Sequence, residues 1–280
     1  MVTATREFTD KFVQLGKLRF HYLDWGTARR RPMLLLHGGS QTAHSWDEFS
    51  REMRRDYRVI ALDQRGHGDS EWSRAGIYTA RAQTQDVHRF VNLLGLERII
   101  LIGLSMGGRN SIMYAGMHPE RIDRLVIVDV GPEIMKKGGR NIRRFTSSAD
   151  ILPTFDDFID RAHQFNPRRP IEQLRERLSW NLRQLPDGRW TWKYDRRFRG
   201  RRQRSAYQED LWPYVRRIKA PTLIVRGGES DILSDRQAKR LQKAIPGCAL
   251  TVVEKAGHTV PGDNPPAFRK AVTDWLERQV

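Results

Sequence analysis

The most informative segment of this 280-residue chain is Ile99-Ile100-Leu101-Ile102-Gly103-Leu104-Ser105-Met106-Gly107-Gly108. Its first four residues form an apolar run, which is typical of a strand buried on both faces. A G-x-S-x-G turn follows, and the next segment, Gly107–Met117, has helical periodicity. In a strand–turn–helix context, this motif predicts a sharp turn that exposes Ser105 at a helix N-terminus, where a nucleophile is expected.

Further apolar runs of the same kind occur along the chain, and each ends at a small or polar residue. They are Pro32–Leu36, Arg58–Leu62, Arg124–Val128, Thr222–Val225 and Ala249–Val253. An alternating segment, Phe12–Leu23, turns at Gly16-Lys17 and predicts a β-hairpin. Segments with helical periodicity separate the runs, namely Thr79–Leu94, Ser234–Ala244 and Pro265–Arg278. This alternation predicts an α/β fold with a mostly parallel sheet, helices on both faces and right-handed crossovers.

Residues 133–213 lack the pattern of a buried strand. They contain two helical pieces, Phe155–Phe165 and Ile171–Leu182, and a short aromatic segment, Trp190–Tyr194. Residues 133–213 as a whole include 19 basic and 11 acidic residues. We expect a cap domain at 133–213 over a core domain formed by residues 1–132 and 214–280. Aromatic side chains of the cap are expected to roof the site: Phe145, Phe155, Phe158, Trp180, Trp190 and Trp192.

His258 is the best candidate for the base that takes the proton of Ser105, because a serine hydroxyl is a poor nucleophile without such a base. Among the eight histidines, His258 follows the last predicted strand and precedes the last predicted helix. It should therefore lie at the same carboxyl edge of the sheet as Ser105. His67, in the Gly-containing segment Asp63–Ser70, is expected to have a structural role in a turn.

The base needs a carboxylate that fixes its tautomer and stabilises the imidazolium. Two aspartates follow predicted core strands, Asp129 and Asp231, and the chain order Ser–Asp–His fits either of them. We favour Asp231. Asp129 opens the entry to the cap, where a structural hydrogen bond is an alternative role for its side chain.

Two backbone N–H groups are expected to bind the oxyanion of a tetrahedral intermediate, each worth roughly 3–4 kcal/mol of barrier. One belongs to Met106, directly after Ser105. The other should come from the first strand–helix loop, His37-Gly38-Gly39-Ser40. We favour the N–H of Gly39, which has no side chain to block the approach, and we expect His37 to hold the loop in shape.

Taken together, these motifs resemble those of the α/β-hydrolase superfamily, in the branch that carries a helical cap after the sixth strand. The resemblance covers nearly the whole chain, and its markers are His37-Gly38-Gly39, Asp63–Ser70, Gly103–Gly108, Gly228–Asp231 and Gly257-His258. It implies a mostly parallel eight-stranded sheet and a triad of Ser105, Asp231 and His258. The dehalogenases and epoxide hydrolases of the family carry Asp at the elbow, so Ser105 argues against both.

The subfamily is less defined by sequence. Cofactor-free perhydrolases often carry an aromatic residue where this chain has Gly39. The stretch Gly108-Arg109-Asn110-Ser111 is similar to that of a hydrolase of a vitamin B6 degradation intermediate. C–C bond hydrolases, lactonases and carboxylesterases share the same frame, and one fold supports many chemistries.

The chain is strongly basic, with 50 Lys and Arg against 33 Asp and Glu and a net charge of +17. Forty of the 50 are Arg, and they are spread along the chain without a nucleic-acid-binding motif. We interpret them mainly as solvated surface, with steering of an anionic ligand or nucleic-acid binding as alternatives. No apolar run approaches the ~20 residues of a membrane helix, and we expect no signal peptide. The single Cys248 excludes an internal disulfide, and a cytoplasmic enzyme is expected.

These features predict a serine hydrolase that cleaves carboxylic esters or lactones of small apolar or aromatic substrates through an acyl-serine intermediate. We expect charge to be a secondary influence, because exposed arginines are screened within about 8 Å at physiological salt. Hydrolysis of a C–C, amide-like or peroxy substrate is the alternative, and a non-catalytic ligand-binding protein is a remote one. We expect no metal, no cofactor and no nucleic-acid or membrane partner, and either a monomer or a homodimer.

Overall fold

A computed structural model describes residues 7–146, 149–199 and 209–278. Its strands are β1 (Thr9–Leu15), β2 (Leu18–Trp25), β3 (Arg31–Leu36), β4 (Tyr57–Leu62), β5 (Ile99–Leu104), β6 (Ile122–Val128), β7 (Ile151–Leu152), β8 (Leu182–Gln184), β9 (Trp190–Trp192), β10 (Thr222–Gly227) and β11 (Ala249–Val253). Its α-helices are α1 (Asp47–Met53), α2 (Ala80–Leu93), α3 (Met106–Met117), α4 (Lys136–Thr146), α5 (Phe155–Phe165), α6 (Ile171–Asn181), α7 (Trp212–Val215), α8 (Asp235–Ala244), α9 (Val260–Asp263) and α10 (Pro265–Glu277).

Eight strands form the main sheet, in the order β1-β2-β4-β3-β5-β6-β10-β11. Strand β2 is antiparallel to both of its neighbours, and the remaining pairs are parallel. The predicted hairpin, the predicted apolar runs and the predicted α/β fold class are therefore confirmed. Because β5, β6, β10 and β11 are consecutive in the sheet, the loops that follow them meet at one edge.

Both faces of the sheet are covered, as expected from the uninterrupted apolar runs. In β3, Leu34 and Leu36 pack into a core with residues of α2, α3 and α8. Met33 and Leu35 point to the opposite face and pack with residues of α1 and α10. This alternation follows from the two-residue period of a strand. It explains why the strand has no polar face.

The segment between β6 and β10 contains α4 to α7 and a second, three-stranded antiparallel sheet in the order β7-β9-β8. The predicted insertion after the sixth strand is confirmed, whereas the small sheet was not predicted beyond its aromatic segment. The insertion has its own apolar core, made of Phe158, Ile159, Leu174, Leu178, Leu182, Trp192 and Tyr194. The domain limits at residues 133 and 213 stay a prediction.

The insertion docks on the main domain through the loop that follows β4. The Tyr78 hydroxyl donates a hydrogen bond to Asp195 Oδ2, and the Asp195 N–H donates to Gly66 O at 2.8 Å. Arg197 also pairs with Asp195 and donates to Ser73 O at 2.8 Å. These contacts fix one side of the insertion over the carboxyl edge of the sheet. Among the described helices, none is long and apolar enough to span a membrane.

Candidate active site

Ser105 lies on a strained turn between β5 and α3, with φ 53° and ψ −112°. The turn is this tight because two glycines let the backbone pass close to its neighbours. A Cβ on Gly103 would lie 2.4 Å from Gly107 O, and one on Gly107 would lie 2.2 Å from Leu36 O. Any larger residue at either position would push the turn out of shape, so the glycines hold Ser105 above the sheet at the start of α3.

The structure brings the two predicted residues Ser105 and His258 together. His258 Nε2 lies 2.8 Å from Ser105 Oγ, which is hydrogen-bond distance for proton transfer between them. The histidine reaches Ser105 from the loop between β11 and α9, and its side chain is 17% exposed. The arrangement matches a nucleophile beside its general base.

The prediction that Asp231 is the acid paired with His258 is wrong in this structure. His258 Nδ1 lies 2.8 Å from Asp129 Oδ2, at the end of β6. The Asp129 side chain is fully buried, and its carboxylate also accepts hydrogen bonds from the Gly227 N–H and the Ser230 hydroxyl. A buried carboxylate with these donors can orient the imidazole and stabilise its cation. Asp129, which the sequence offered as the alternative, therefore occupies the acid position.

Asp231 is displaced from His258 by the course of the turn after β10. Ser230 faces Asp129, and Asp231 turns toward the insertion, where its Oδ2 accepts a hydrogen bond from Asn141 Nδ2 at 2.7 Å. The loop that carries His258 crosses β10 at Gly227, where a Cβ would lie 2.1 Å from Gly257 O. This close crossing lets His258 reach past β10 to the end of β6.

The two predicted oxyanion donors, Gly39 and Met106, both line the cavity beside Ser105. Within the described residues, neither backbone N–H has a hydrogen-bond acceptor. The preceding residue, Gly38, is held by its own N–H, which donates to Gln41 Oε1 at 3.1 Å. The loop is joined to the elbow by the Gly107 N–H, which donates to His37 O at 3.2 Å. Both donors are thus available to a substrate oxygen, and their role stays a prediction.

Two buried histidines lie at this loop, with their ring centroids 5.2 Å apart. His37 Nε2 accepts a hydrogen bond from the Gln64 N–H at 3.0 Å, and its Nδ1 lies 2.7 Å from Gly38 O. Burial lowers the pKa of His37. Burial, together with the nearby His37, lowers the pKa of His67 to about 3. Both rings are therefore neutral near pH 7, which suits the structural roles expected for them.

His21 of β2 and two residues of the loop after β4, Asp63 and Asp69, form a cluster with the character of metal ligands. His21 Nδ1 lies 2.7 Å from Asp63 Oδ2, and the same oxygen accepts from the Asp69 N–H at 2.9 Å. The other Asp63 oxygen accepts from the Ala43 N–H. Asp63 is therefore engaged in organising the loop, and the expected absence of a metal stays a prediction.

The stretch after the elbow holds the surrounding loops. Asn110 Nδ2 donates to Gln64 Oε1 at 2.7 Å, and the Ser111 hydroxyl donates to Gly107 O at 2.8 Å. Arg109 donates to Gly131 O and to Glu209 O, at 3.3 and 3.1 Å. Gly131 lies where the insertion begins and Glu209 where it ends, so Arg109 clamps both of its ends to α3.

A cavity of about 1060 Å³ lies between the sheet edge and the insertion, and Ser105 and His258 are in its wall. Its volume is near the upper end of the roughly 300–1,000 Å³ of small-molecule sites. Of the predicted roof residues, Trp192 lines the cavity, and the side chain of Phe145 lies outside the described part. Other aromatic residues line it instead, namely Phe165, Phe198 and Trp212.

Sequence reasoning missed a polar cluster beside the His258 loop. Asp263 accepts hydrogen bonds from the Gly257 N–H and the Thr259 hydroxyl, at 3.0 and 2.9 Å. From the insertion, Arg169 Nε and Asn166 Nδ2 donate to the same carboxylate, at 3.0 and 2.9 Å. Mainly through its arginine, this set keeps the pKa of Asp263 below its ordinary value despite burial. It ties the loop of His258 to the insertion.

Comparison with known proteins identifies the fold family of the chain. Residues 31–265 match the model of the alpha/beta hydrolase fold family. An esterase of Mycobacterium tuberculosis is 30% identical over 264 residues, with 91% of this chain and 85% of the esterase covered. A 2-(acetamidomethylene)succinate hydrolase of Mesorhizobium japonicum is 24% identical over 278 residues, with 98% and 97% covered.

A solved structure shows the same architecture. The crystal structure of an alpha/beta hydrolase from Novosphingobium aromaticivorans superposes with a TM-score of 0.86 at 28% identity. The match covers 98% of this chain and 100% of that one. Sequence, topology and the elbow at Ser105 lead to one family. The chain belongs to the α/β-hydrolase fold family.

Proposed function

We propose that this hydrolase cleaves carboxylic esters or lactones with a triad of Ser105, His258 and Asp129. The observation that carries the proposal is the unbroken pair of hydrogen bonds, each 2.8 Å long, that joins the three side chains. The esterase among the relatives supports the reaction class. Gly39 and Met106 would supply the oxyanion donors.

The reaction follows from these positions. Ser105 Oγ attacks the carbonyl carbon as His258 Nε2 takes the hydroxyl proton, and Asp129 stabilises the imidazolium. The oxyanion receives the two backbone N–H groups. Its collapse expels the alcohol, which takes the proton from His258. Water then attacks the acyl-serine, with His258 again as the base, and the acid and free Ser105 are released.

The cavity favours small substrates with a largely apolar body. Besides its aromatic residues, its wall contains many aliphatic side chains, among them Leu104, Val130, Ile134, Ile142, Leu174, Leu178 and Ile232. Such a lining binds acyl or alcohol groups mainly by excluding water from them. The cytoplasmic location and the monomeric or homodimeric state stay predictions.

A second candidate function is cleavage of an amide-like or C–C bond by the same residues. The similarity to a 2-(acetamidomethylene)succinate hydrolase favours it, because that relative matches along nearly its whole length. The chemistry differs from ester cleavage in the leaving group that His258 must protonate. Parallel assays on aryl esters, lactones and amides of equal acyl size would separate the two functions.

The test of the proposal is covalent labelling with a fluorophosphonate probe, combined with hydrolysis of 4-nitrophenyl butyrate. Ser105→Ala should lose labelling and turnover, and removal of such a nucleophile costs on the order of 10⁶ in kcat in a comparable serine enzyme. Ser179→Ala, on the exposed side of α6, is the matched control and should keep both. Labelling that survives in Ser105→Ala would refute the proposal.

A further inference from the structure

Arg177 stands out among the charged residues of the cavity wall. Most of the others are already paired or face solvent. Arg169 forms a salt bridge with Asp263, and Glu133 forms one with Arg240. Lys136 is exposed to solvent. Within the described part of the chain, the Arg177 guanidinium has neither a hydrogen-bond acceptor nor a salt-bridge partner. A partly buried cation without such a partner costs free energy unless a ligand supplies one.

The position of Arg177 on α6 directs it to the cavity. Leu174, Leu178 and Asn181 of the same helix also line the cavity. They lie three residues before, one residue after and four residues after Arg177. These spacings lie on one face of a helix. The face on the other side carries solvent-exposed residues, such as Arg175, which pairs with Asp156 at 2.7 Å. Arg177 thus lies on the inner face of α6 and is partly buried there.

The charges around Arg177 leave one positive charge unbalanced. Arg169 and Arg177 both interact with Asp263, and Asp263 already forms its salt bridge with Arg169. Two guanidinium groups therefore share one carboxylate. Burial and the neighbouring Arg169 lower the pKa of Arg177 to about 9, which still leaves it cationic at neutral pH. A ligand with a single negative charge would restore neutrality.

We propose that Arg177 binds a carboxylate of the substrate, so that the preferred substrate is an ester with a mainly apolar body and one negative charge. This inference rests on the proposed function of the Ser105 site. It also revises the expectation that charge has only a secondary influence on substrate choice, because Arg177 is shielded by the cavity and is screened less than a surface arginine.

A carboxylate fits this site better than a phosphate monoester. A guanidinium presents a planar fork of N–H donors that matches the two oxygens of a carboxylate. One unbalanced positive charge is matched by one carboxylate, whereas a phosphate monoester carries nearly two charges near pH 7. Asn181 offers a further donor, since its Oδ1 accepts the Thr42 hydroxyl at 3.1 Å and its Nδ2 has no acceptor among the described residues.

Arg177 lines the same cavity as Ser105 and His258. Arg169, which interacts electrostatically with Arg177, donates to Thr259 O at 3.3 Å, and Thr259 is the residue after His258. A substrate anchored at Arg177 would therefore extend along the same cavity toward Ser105. The carboxylate can lie on either the acyl or the alcohol side of the ester, so the test must include both.

The experiment compares two pairs of esters. The first pair is the 4-nitrophenyl half-ester of glutaric acid and its neutral isostere, 4-nitrophenyl 5-methylhexanoate. The second pair is 3-carboxyphenyl butyrate and 3-acetylphenyl butyrate. For each ester, kcat/KM is measured for the wild type, Arg177→Gln and the control Arg175→Gln, which removes the same charge from the outer face of α6. Fluorophosphonate labelling of Ser105 is recorded for each protein.

Arg177→Gln should lower kcat/KM for at least one of the anionic esters by about 10- to 100-fold, as expected for a charge-assisted hydrogen bond. Both neutral esters should change less than twofold, and Arg175→Gln should leave all four unchanged. The inference is overturned if Arg177→Gln, while still labelled and active, changes kcat/KM for the anionic and the neutral esters by the same factor, or if Arg175→Gln has the same effect as Arg177→Gln. Absence of labelling and turnover in the wild type would instead refute the proposed function.

Discussion

Replacing Asp263 with Asn should lower the free energy of unfolding by about 3–5 kcal/mol, the usual cost of breaking a buried ion pair by removing one partner. The Asp263 and Arg169 side chains are 1% and 6% exposed. An Asn side chain would keep the oxygen that accepts the hydrogen bonds now made to Asp263 Oδ1. Its amide nitrogen would replace Oδ2 and would face the Gly257 N–H, which is also a donor. The substitution thus leaves a buried guanidinium without its counter-charge and a backbone donor without its acceptor.

The assay is urea unfolding at pH 7 of the wild type, Asp263→Asn, Arg169→Met and the double variant. The two substitutions should couple by about 1–3 kcal/mol in the double-mutant cycle, because the residues are in contact. Asp274→Asn is the control, since it removes an exposed i,i+4 pair with Lys270 and should cost no more than about 0.5 kcal/mol. A loss below about 1 kcal/mol for Asp263→Asn, or additivity in the cycle, would refute the reasoning.

Two further predictions concern the elbow and the buried histidines. Gly107→Ala should destabilise the protein by at least about 1–3 kcal/mol, because the added Cβ would lie 2.2 Å from Leu36 O. The control Gly139→Ala, where the added Cβ has ordinary contacts in α4, should be neutral or stabilising. Equal urea midpoints for the two variants would contradict this prediction. The pKa of His67 is about 3 in the folded protein and about 6.5 in the unfolded chain, so the unfolded chain binds the proton more readily. The free energy of unfolding should therefore fall by about 1.4 kcal/mol per pH unit below pH 6.5. Unfolding measured at pH 7, 6 and 5 should show a shallower pH dependence for His67→Gln, and an identical slope would count against the buried neutral ring.

Most of the main sheet could be predicted because its strands are buried on both faces. Runs such as Ile99–Ile102 have no polar position, and few other structures produce that pattern. The helix α4 was missed because Gly138 and Gly139 each weaken helical propensity by about 1 kcal/mol. The structure explains Gly138, since a Cβ there would lie 2.2 Å from Asp231 O. The strands β7 and β8 span two and three residues, which is too short for any periodicity to appear.

The candidate active site could likewise be predicted only in part. Ser105 and His258 were identifiable because a local motif and a position after a strand specify them. The choice between Asp129 and Asp231 depended on the order of strands in the sheet and on how two turns cross at Gly227, and neither is encoded in local spacing. A sign was present in the sequence, since Asp129 directly follows the buried end of β6. Arg177 had no local signature, because its proposed role depends on a cavity that distant segments of the chain form around it.

The identity of the acid tests the account of the active site most directly. The measurement is kcat for hydrolysis of 4-nitrophenyl butyrate by Asp129→Asn and Asp231→Asn, both checked for folding by urea unfolding. Asp129→Asn should lose about 10⁴ in kcat, because an amide in contact with His258 Nδ1 favours the wrong tautomer and cannot stabilise the imidazolium. Asp231→Asn should keep kcat within about tenfold, because Asp231 contacts Asn141 rather than His258. An inactive Asp231→Asn beside an active Asp129→Asn would contradict the account.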